Sequence, residues 1–203
     1  MIKNLFIDLG DVLYAIDIKN TMAKYDQMRE PGTPNVEFGK NAQHKWFDLL
    51  DTGKIEIDEF AQGLKSSYHL TGSLEEIKQI WMDLLIGVIP GREAAIEALS
   101  NKFNLALLSN TSRFHFEYYS PQCKAMFDRM DHLFVSFEMG LRKPDTTIYT
   151  TALNKMTWKA EETLFADDSR KNIESAQSVG LKTWWIEQHN DFNLMVNDLM
   201  NSN

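Results

Sequence analysis

Acidic side chains stand at the ends of two short apolar runs, where they could carry chemistry. The run Leu5-Phe6-Ile7 leads into Asp8, and "TLFADD" (163–168) ends on Asp167 and Asp168. A carboxylate at the end of a buried strand is a candidate nucleophile, or a ligand for a hard cation such as Mg²⁺. Taken singly, each aspartate is equally compatible with a turn that ends a strand.

Two further apolar runs end close to other polar groups. "NLALLS" (104–109) ends on Ser109 and is followed by Asn110, and "HLFVSF" (132–137) is followed after a short loop by Lys143. In open α/β sheets, ligands bind outside the carboxyl ends of the strands, so one edge would gather these groups with the three aspartates. Three close carboxylates repel one another unless positive charge intervenes, which a Mg²⁺ ion and Lys143 would supply. The set favours phosphoryl transfer, with Asp8 as nucleophile and Ser109 holding the phosphoryl group.

Parallel strands must bring these residues to one edge. Five continuous apolar runs are typical of strands covered on both faces, and they lie at 4–9, 104–109, 132–137, 163–168 and 182–187. Helix-like segments at 91–102, 145–156 and 170–180 alternate with them. The alternation predicts an α/β fold with a doubly wound parallel sheet, that is, a Rossmann-like core.

The interval between the first two strands is too long for a single crossover connection. Its pattern of apolar residues and turn signals predicts four helices, at about 17–29, 36–51, 57–68 and 73–87. We therefore expect residues 14–90 to form a small helical cap domain, inserted directly after the first strand. Residues 1–13 and 91–203 would then form the catalytic core.

Charge and composition exclude several classes of function. The 203 residues carry a net charge of −8, which argues against nucleic acid as a partner, since that needs clustered Lys and Arg. The single cysteine excludes an internal disulfide and fits a reducing compartment. No apolar run approaches the 18 residues of a membrane helix, so we predict a cytoplasmic protein without a membrane partner. The expected partner is a small phosphorylated metabolite; the sequence does not give the oligomeric state.

The four strand-end motifs resemble those of the haloacid dehalogenase (HAD) superfamily of hydrolases. They occur in the same order as "DLGDVL" (8–13), "LLSN" (107–110), "RKPD" (142–145) and "FADDSRKNIESA" (165–176). Each motif is weak by itself, but four in this order, with a helical insertion between the first two, make a specific signal. Within the superfamily, the patterns "DLGxV", "LSNTxRxH" and "GxRKPxxxIY" resemble the bacterial α-D-glucose-1-phosphate phosphatase group.

The resemblance implies a nucleophile and a metal site. Asp8 matches the nucleophile that forms an aspartyl-phosphate. Asp8 and Asp168 match side-chain ligands of Mg²⁺, and the carbonyl oxygen of Gly10 matches a backbone ligand.

It also implies a phosphate site. Ser109 and Asn110 match phosphate-binding residues, and Lys143 matches the lysine that contacts both Asp8 and the phosphoryl group. Asp167 is expected to orient Lys143 or a metal-bound water.

Position 10 departs from the pattern of many superfamily phosphatases and mutases. Those enzymes carry a second aspartate there as general acid and base, whereas this chain has Gly10, as the glucose-1-phosphatase group does. Without that acid we expect a substrate whose leaving oxygen is weakly basic, such as a sugar 1-phosphate. Asp11 or a metal-bound water are the two candidate replacements.

Other side chains are weaker candidates for substrate contact. His44 and Trp46 in the insertion, and Arg113 and His115 after the second motif, could reach a substrate, but a packing or surface role is equally compatible with the sequence. Arg142 is expected to be a solvated surface charge.

Two other functions stay open on the sequence. A carbon–halogen hydrolase would use Asp8 on carbon and would need no cation, which the Asp167-Asp168 pair argues against. A phosphoryl-accepting signalling domain also combines aspartates, a hydroxyl and a lysine, but its acidic pair comes first in the chain, whereas here it comes last.

Overall fold

The computed structural model describes residues 1–39 and 44–201. Five parallel strands form one sheet in the order β5-β4-β1-β6-β7. Their bounds are β1 Asn4–Ile7, β4 Asn104–Ser109, β5 His132–Val135, β6 Thr163–Asp167 and β7 Lys182–Trp185. All five predicted strands and the α/β fold class are confirmed.

The sheet is buried on both faces, which is why its strands read as continuous apolar runs. One hydrophobic cluster includes Leu5 and Ile7 of β1, and a second, on the other face, includes Phe6. Because β1 pairs with β4 on one side and β6 on the other, Asp8 lies between the ends of those two strands.

Helices flank the sheet at the predicted segments and at several others. They are α5 Arg92–Ser100, α6 Arg113–Tyr119, α7 Lys124–Phe127, α8 Ser136–Met139, α9 Thr146–Met156, α10 Arg170–Ser178 and α11 His189–Asn201, with a 3-10 turn at Ala160–Glu162. The predicted strand 132–137 was too long, because the chain turns into α8 at Ser136. Within the described ranges, no helix is long and apolar enough to cross a membrane.

Four helices of the insertion pack around a hydrophobic cluster of their own. They are α1 Ile18–Gln27, α2 Lys45–Asp51, α3 Ile57–Tyr68 and α4 Leu74–Met82. The buried members of this cluster all lie between Tyr25 and Leu84. The division into a 14–90 cap and a two-part core agrees with this packing but stays a prediction.

Two helix predictions in the insertion were too long. The segment predicted as 36–51 is not helical at 36–39, residues 40–43 lie outside the described residues, and α2 begins only at Lys45. The segment predicted as 73–87 ends its helix at Met82 and continues as strand β3, Leu85–Val88.

The strand β3 pairs antiparallel with β2, Tyr14–Ile16, in a two-stranded ribbon that the sequence did not predict. The pairing register shifts between Ala15 and Ile16, which marks a bulge. The ribbon lies where the chain leaves and re-enters the core, immediately beside the end of β1.

Candidate active site

A buried lysine joins two of the predicted carboxylates. Lys143 Nζ lies 2.6 Å from Asp8 Oδ1, 2.6 Å from Asp167 Oδ2 and 2.8 Å from the carbonyl oxygen of Leu108. The three protons of the ammonium group are therefore all donated. Only 1% of the Lys143 side chain is exposed, so the ion pairs are screened very little by solvent.

Electrostatics around this lysine favour an additional cation. Burial, together with the charges of Asp167 and Asp168, raises the pKa of Asp8 to about 7, although Lys143 acts to lower it. Burial alone would lower the pKa of Lys143, but the charges of Asp167 and Asp8 outweigh it and raise that pKa above its ordinary range. One lysine thus does not offset the charge of the three carboxylates.

The acidic cluster fits a Mg²⁺ ion by its donor atoms. Asp8, Asp167 and Asp168 each present an oxygen within 4.8 Å of the others. Asp8 and Asp168 also line a cavity, and so does Gly10, the predicted backbone ligand. Carboxylate and carbonyl oxygens around a site open to water and phosphate are what Mg²⁺ prefers.

Asp167 is the member of that cluster whose two oxygens are both engaged by the protein. Its Oδ1 accepts from the backbone N–H of Ser169 at 2.7 Å and from Asn172 Nδ2 at 3.0 Å, while Oδ2 faces Lys143. This geometry agrees with the prediction that Asp167 orients Lys143. Asn172 is a residue that the prediction missed, although it lies within the fourth motif.

The second motif supplies a hydroxyl and a clamp. Ser109 ends β4, is 2% exposed and lines the cavity. Asn110 Nδ2 donates to the carbonyl oxygen of Lys143 at 2.8 Å, and the Lys143 N–H donates to Asn110 Oδ1 at 2.8 Å. The side chain of Asn110, predicted to bind phosphate, therefore holds the main chain of Lys143.

A cavity of about 340 Å³ lies between this edge of the sheet and the inserted helices. The part of its wall that the insertion and the ribbon supply is largely apolar, and consists of Ile16, Ile18, Phe38, Trp81, Leu84 and Leu85. Two charged side chains of α2, Asp48 and Asp51, also line the cavity, and so does Arg142 of the core.

Arg142 corrects a prediction. It is not a solvated surface charge, because only 23% of its side chain is exposed and its Nη1 lies 2.6 Å from Asp48 Oδ1 of α2. Its Nη2 lies 3.6 Å from Asp51 Oδ2. Arg142 thus joins the segment before Lys143 to the inserted helix α2, a contact between residues 94 positions apart that no local pattern reveals.

His115 lies in the cavity wall, as one of the candidate substrate contacts. Its ring stacks on Trp81 with centroids 4.8 Å apart, and its Nε2 lies 2.9 Å from the carbonyl oxygen of Trp81. A carbonyl only accepts, so Nε2 carries the proton. Burial lowers the pKa of His115 to about 4, which keeps the ring neutral.

The other three candidates have packing roles instead. His44 caps the start of α2 and packs edge-on against Tyr68, and Trp46 donates from Nε1 to Ser67 Oγ at 2.9 Å. Arg113 stacks over Phe137. The described lining of the cavity includes none of His44, Trp46 and Arg113.

Asp11 is not one of the carboxylates of the acidic cluster. Its Oδ1 accepts from the backbone N–H of Ile16, the last residue of β2, at 3.3 Å. In the described structure Asp11 is not part of the cavity wall, which argues against it as the substitute acid.

Comparison with known proteins gives a family match over most of the chain. A family model described as haloacid dehalogenase-like hydrolase matches residues 2–180. Among curated proteins, a D-ribitol-5-phosphate phosphatase from Bacteroides thetaiotaomicron is 27% identical over 209 residues, with both chains covered in full.

Solved structures give the same fold. A HAD-family enzyme from Bacteroides thetaiotaomicron, crystallised in its wild-type form with magnesium and inorganic phosphate, is 27% identical, with 91% of this chain and 94% of that chain covered and a TM-score of 0.74. A predicted HAD-like hydrolase from Porphyromonas gingivalis is 22% identical, covers both chains in full and has a TM-score of 0.80.

Proposed function

The chain belongs to the haloacid dehalogenase-like hydrolases, and from that premise we propose that it is a Mg²⁺-dependent phosphatase acting on a small phosphorylated metabolite. The proposal assigns Asp8 as the nucleophile and Asp8, Asp168 and the Gly10 carbonyl as metal ligands. Ser109 and Lys143 would bind the phosphoryl group. Its supports are the geometry of these residues and the magnesium and phosphate held by a similar enzyme.

One observation carries the proposal: a fully buried lysine is shared between two carboxylates while a third lies within ligand distance. This excess of negative charge, which requires a cation, is not expected in a carbon–halogen hydrolase, because attack on carbon needs no cation. A phosphate ester brings two more negative charges to the same place, so it requires a cation. When bound, Mg²⁺ supplies positive charge that offsets the charge on the phosphoryl oxygens.

The residues of the chain then act in two steps. A carboxylate oxygen of Asp8 attacks phosphorus, the bond to the leaving oxygen breaks, and an aspartyl-phosphate forms on Asp8. Water then attacks that phosphorus, which releases phosphate and restores the Asp8 carboxylate. Lys143 holds Asp8 in place before the phosphoryl group arrives, and the position of Lys143 is fixed by Asp167 and by Asn110.

We further propose that residues 14–90 act as a cap that closes over the site. Their helices supply most of the wall opposite the sheet edge, which would exclude bulk water from Asp8 and select the leaving group. Substrate preference should therefore follow the insertion, and the metal requirement should follow the core.

For the substrate we propose a phosphorylated sugar or polyol, with a sugar 1-phosphate as the specific candidate. The argument is Gly10, because an anomeric oxygen is less basic than an ordinary alkoxide and leaves with less help from an acid. The relative named for D-ribitol 5-phosphate acts on a primary-alcohol phosphate, which is the rival class. The resemblance of the motifs to the glucose-1-phosphatase group supports the sugar 1-phosphate.

A phosphatase screen tests both levels of the proposal. Glucose 1-phosphate, glucose 6-phosphate and D-ribitol 5-phosphate are offered with Mg²⁺ and after exhaustive treatment with EDTA. We expect phosphate release only with Mg²⁺, and fastest from glucose 1-phosphate. Turnover that persists after EDTA contradicts the metal site, and a strong preference for D-ribitol 5-phosphate contradicts the sugar 1-phosphate.

A further inference from the structure

The backbone conformation of Gly10 does not by itself require a glycine. Gly10 is not among the residues with a left-handed φ, so an L-residue could adopt its conformation. A Cβ built on Gly10 would meet one described atom within 4 Å, the Cδ1 methyl of Ile16 at 3.2 Å. That distance is tighter than an ordinary contact, so Ile16 competes for the space that a side chain at position 10 would enter.

The ribbon fixes Ile16 in that place. The register of β2 against β3 shifts between Ala15 and Ile16, and a bulge of this kind redirects a side chain. The Ile16 N–H donates to Asp11 Oδ1, and Asp11 itself has a left-handed φ of 54°. Asp11, which the sequence offered as a substitute acid, thus helps to hold Ile16 over the site.

The surroundings of Ile16 in the cavity are apolar as well. Ile18, Leu84 and Leu85 lie in the same wall, and Leu85 is the strand partner of Ile16. The leaving oxygen must depart roughly in line and away from Asp8, because attack and departure occur on opposite sides of phosphorus. This direction leads away from the sheet edge, towards the wall formed by the ribbon and the insertion.

We propose that Ile16 is a specificity-determining residue, which fills the side-chain space of position 10 and makes the leaving-group subsite apolar and free of a general acid. The inference rests on the proposed phosphatase function and narrows its substrate class. The substrates are phosphate monoesters whose leaving oxygen is weakly basic and whose carbon framework presents an apolar face. Aryl phosphates are the simplest members, and anomeric sugar phosphates, with one C–H face of the ring on the wall, belong to the same class.

The proton balance follows from this arrangement. As Asp8 forms its bond to phosphorus, the electron pair of the broken P–O bond stays on the leaving oxygen, which departs as an anion. That anion takes a proton from water after departure. The water that later hydrolyses the aspartyl-phosphate delivers its oxygen to phosphorus. One of its protons stays on the released phosphate, and the other neutralises the hydroxide left when the leaving anion took its proton. The rate of the first step must therefore depend steeply on the pKa of the leaving alcohol.

The test introduces a carboxylic acid at position 10 and at the same time removes the Ile16 side chain, so that the acid has room to enter the cavity. The double variant Gly10→Asp/Ile16→Ala is compared with Gly10→Ala/Ile16→Ala, which has the same space but no carboxyl. A second control, Gly10→Asp/Ile18→Ala, removes the same apolar volume from another part of the wall. The substrates are phenyl phosphates of increasing phenol pKa and one alkyl phosphate, all with Mg²⁺, and circular dichroism checks that each variant is folded.

We expect the acid-plus-space variant to hydrolyse the alkyl phosphate at least about 10-fold faster than either control, since general acid help is worth about 10²–10⁴-fold. Its rates should also depend less steeply on phenol pKa than those of the wild type. Equal rates for the double variant and its two controls would overturn the inference, and so would Gly10→Asp alone reaching the rate of the double variant.

A single substitution keeps the inference testable if the double variants do not fold. Ile16→Ala should lower kcat/KM for phenyl phosphate by roughly 10-fold relative to glycerol phosphate, because an apolar contact in a pocket is worth about that much. An unchanged ratio would overturn the apolar subsite. A wild-type protein that hydrolyses none of these esters with Mg²⁺ contradicts the phosphatase function itself, which is a different result from a ratio that does not move.

Discussion

At the scale of single residues, the site is organised by how Lys143 is shared. Its ammonium group has no proton left over after Asp8, Asp167 and the Leu108 carbonyl, so it can turn to a substrate only by weakening one of those bonds. Asp167 is also held by Ser169 and Asn172, so of the two bonds to carboxylates the one to Asp8 yields more readily. A phosphoryl group arriving at Asp8 would meet the lysine there.

Replacing Asp8, the proposed nucleophile, should abolish turnover without unfolding the protein. Asp8→Asn keeps the shape of the side chain, and Lys143 keeps its bond to Asp167, so no charge is left without a partner. We expect kcat to fall by more than about 10³-fold, as it does when other nucleophiles are removed. Turnover is measured on the best substrate of the screen, and wild-type kcat in the variant would end the assignment of Asp8.

Removing the lysine should instead damage the fold. Lys143→Gln leaves two buried carboxylates beside Asp168 without their cation, and breaking a buried pair costs about 3–5 kcal/mol. The exposed Lys155→Gln is the control, for which we expect a change within about 0.5 kcal/mol.

Urea unfolding with and without Mg²⁺ measures this cost. An ion that binds the folded state should recover part of the loss in Lys143→Gln. A variant as stable as the control would show that the lysine is not what holds these carboxylates together.

At the scale of elements, the end of α2 is one place where the insertion is attached to the core. Ser136 Oγ lies 2.5 Å from the carbonyl oxygen of Asp51 and accepts from the Thr111 N–H at 2.9 Å. The ion pair between Arg142 and Asp48 is partly exposed, and such pairs contribute about 0–1 kcal/mol. The buried hydrogen bond from Ser136 to the Asp51 carbonyl is therefore expected to contribute more to this attachment than the ion pair.

Gly53, just beyond α2, allows this close approach. A Cβ on it would lie 2.3 Å from the carbonyl oxygen of Phe137, and its φ is +65°. Gly32 also has a left-handed φ, of +86°, but its Cβ would meet no described atom within 4 Å. Comparing substitutions at the two glycines therefore distinguishes the cost of backbone strain from the cost of the clash between α2 and α8.

We expect Gly53→Ala to cost at least about 1 kcal/mol more than Gly32→Ala. A left-handed alanine costs roughly 1–2 kcal/mol at either place, and only position 53 adds a clash. Urea unfolding measures the change in free energy of unfolding for each variant. KM for the best substrate shows whether the insertion still packs over the site. Equal costs would mean that α2 does not pack this closely on α8.

The elements differ in how far the sequence could predict them. The sheet strands were predicted because each is a continuous apolar run. Asp8 was placed correctly at the sheet edge because it follows directly after the apolar run of β1. The ribbon of β2 and β3 was missed because each strand has three or four residues and its partner lies about 70 positions away. The roles of Arg142 and Asn110 were missed for the same reason, since both depend on partners distant in sequence.

At the scale of the whole molecule, His115 joins the core to the insertion. It lies on α6 beside the sheet, yet it stacks on Trp81 of α4 and bonds to the carbonyl oxygen of Trp81. A charged ring in this place would lack water, so protonation has to accompany opening or unfolding. The stability of the protein should therefore depend on pH through this residue.

The sign follows from the two pKa values. The folded-state pKa of His115 is about 4, below the ordinary value of 6.5, so the unfolded chain binds the proton first as pH falls. This contribution to stability is complete above about pH 6.5 and is lost between about pH 6.5 and pH 4. Between pH 7 and pH 5 the loss amounts to about 2 kcal/mol.

His115→Gln keeps an N–H donor for the Trp81 carbonyl but cannot be protonated, so its free energy of unfolding should fall by about 2 kcal/mol less over the same interval. Urea unfolding of both proteins at pH 7, 6 and 5 measures the difference, in which the contributions of Asp8 and other shared groups cancel. Stability curves that run parallel from pH 7 to pH 5 would show that His115 is not held neutral between the two parts of the molecule.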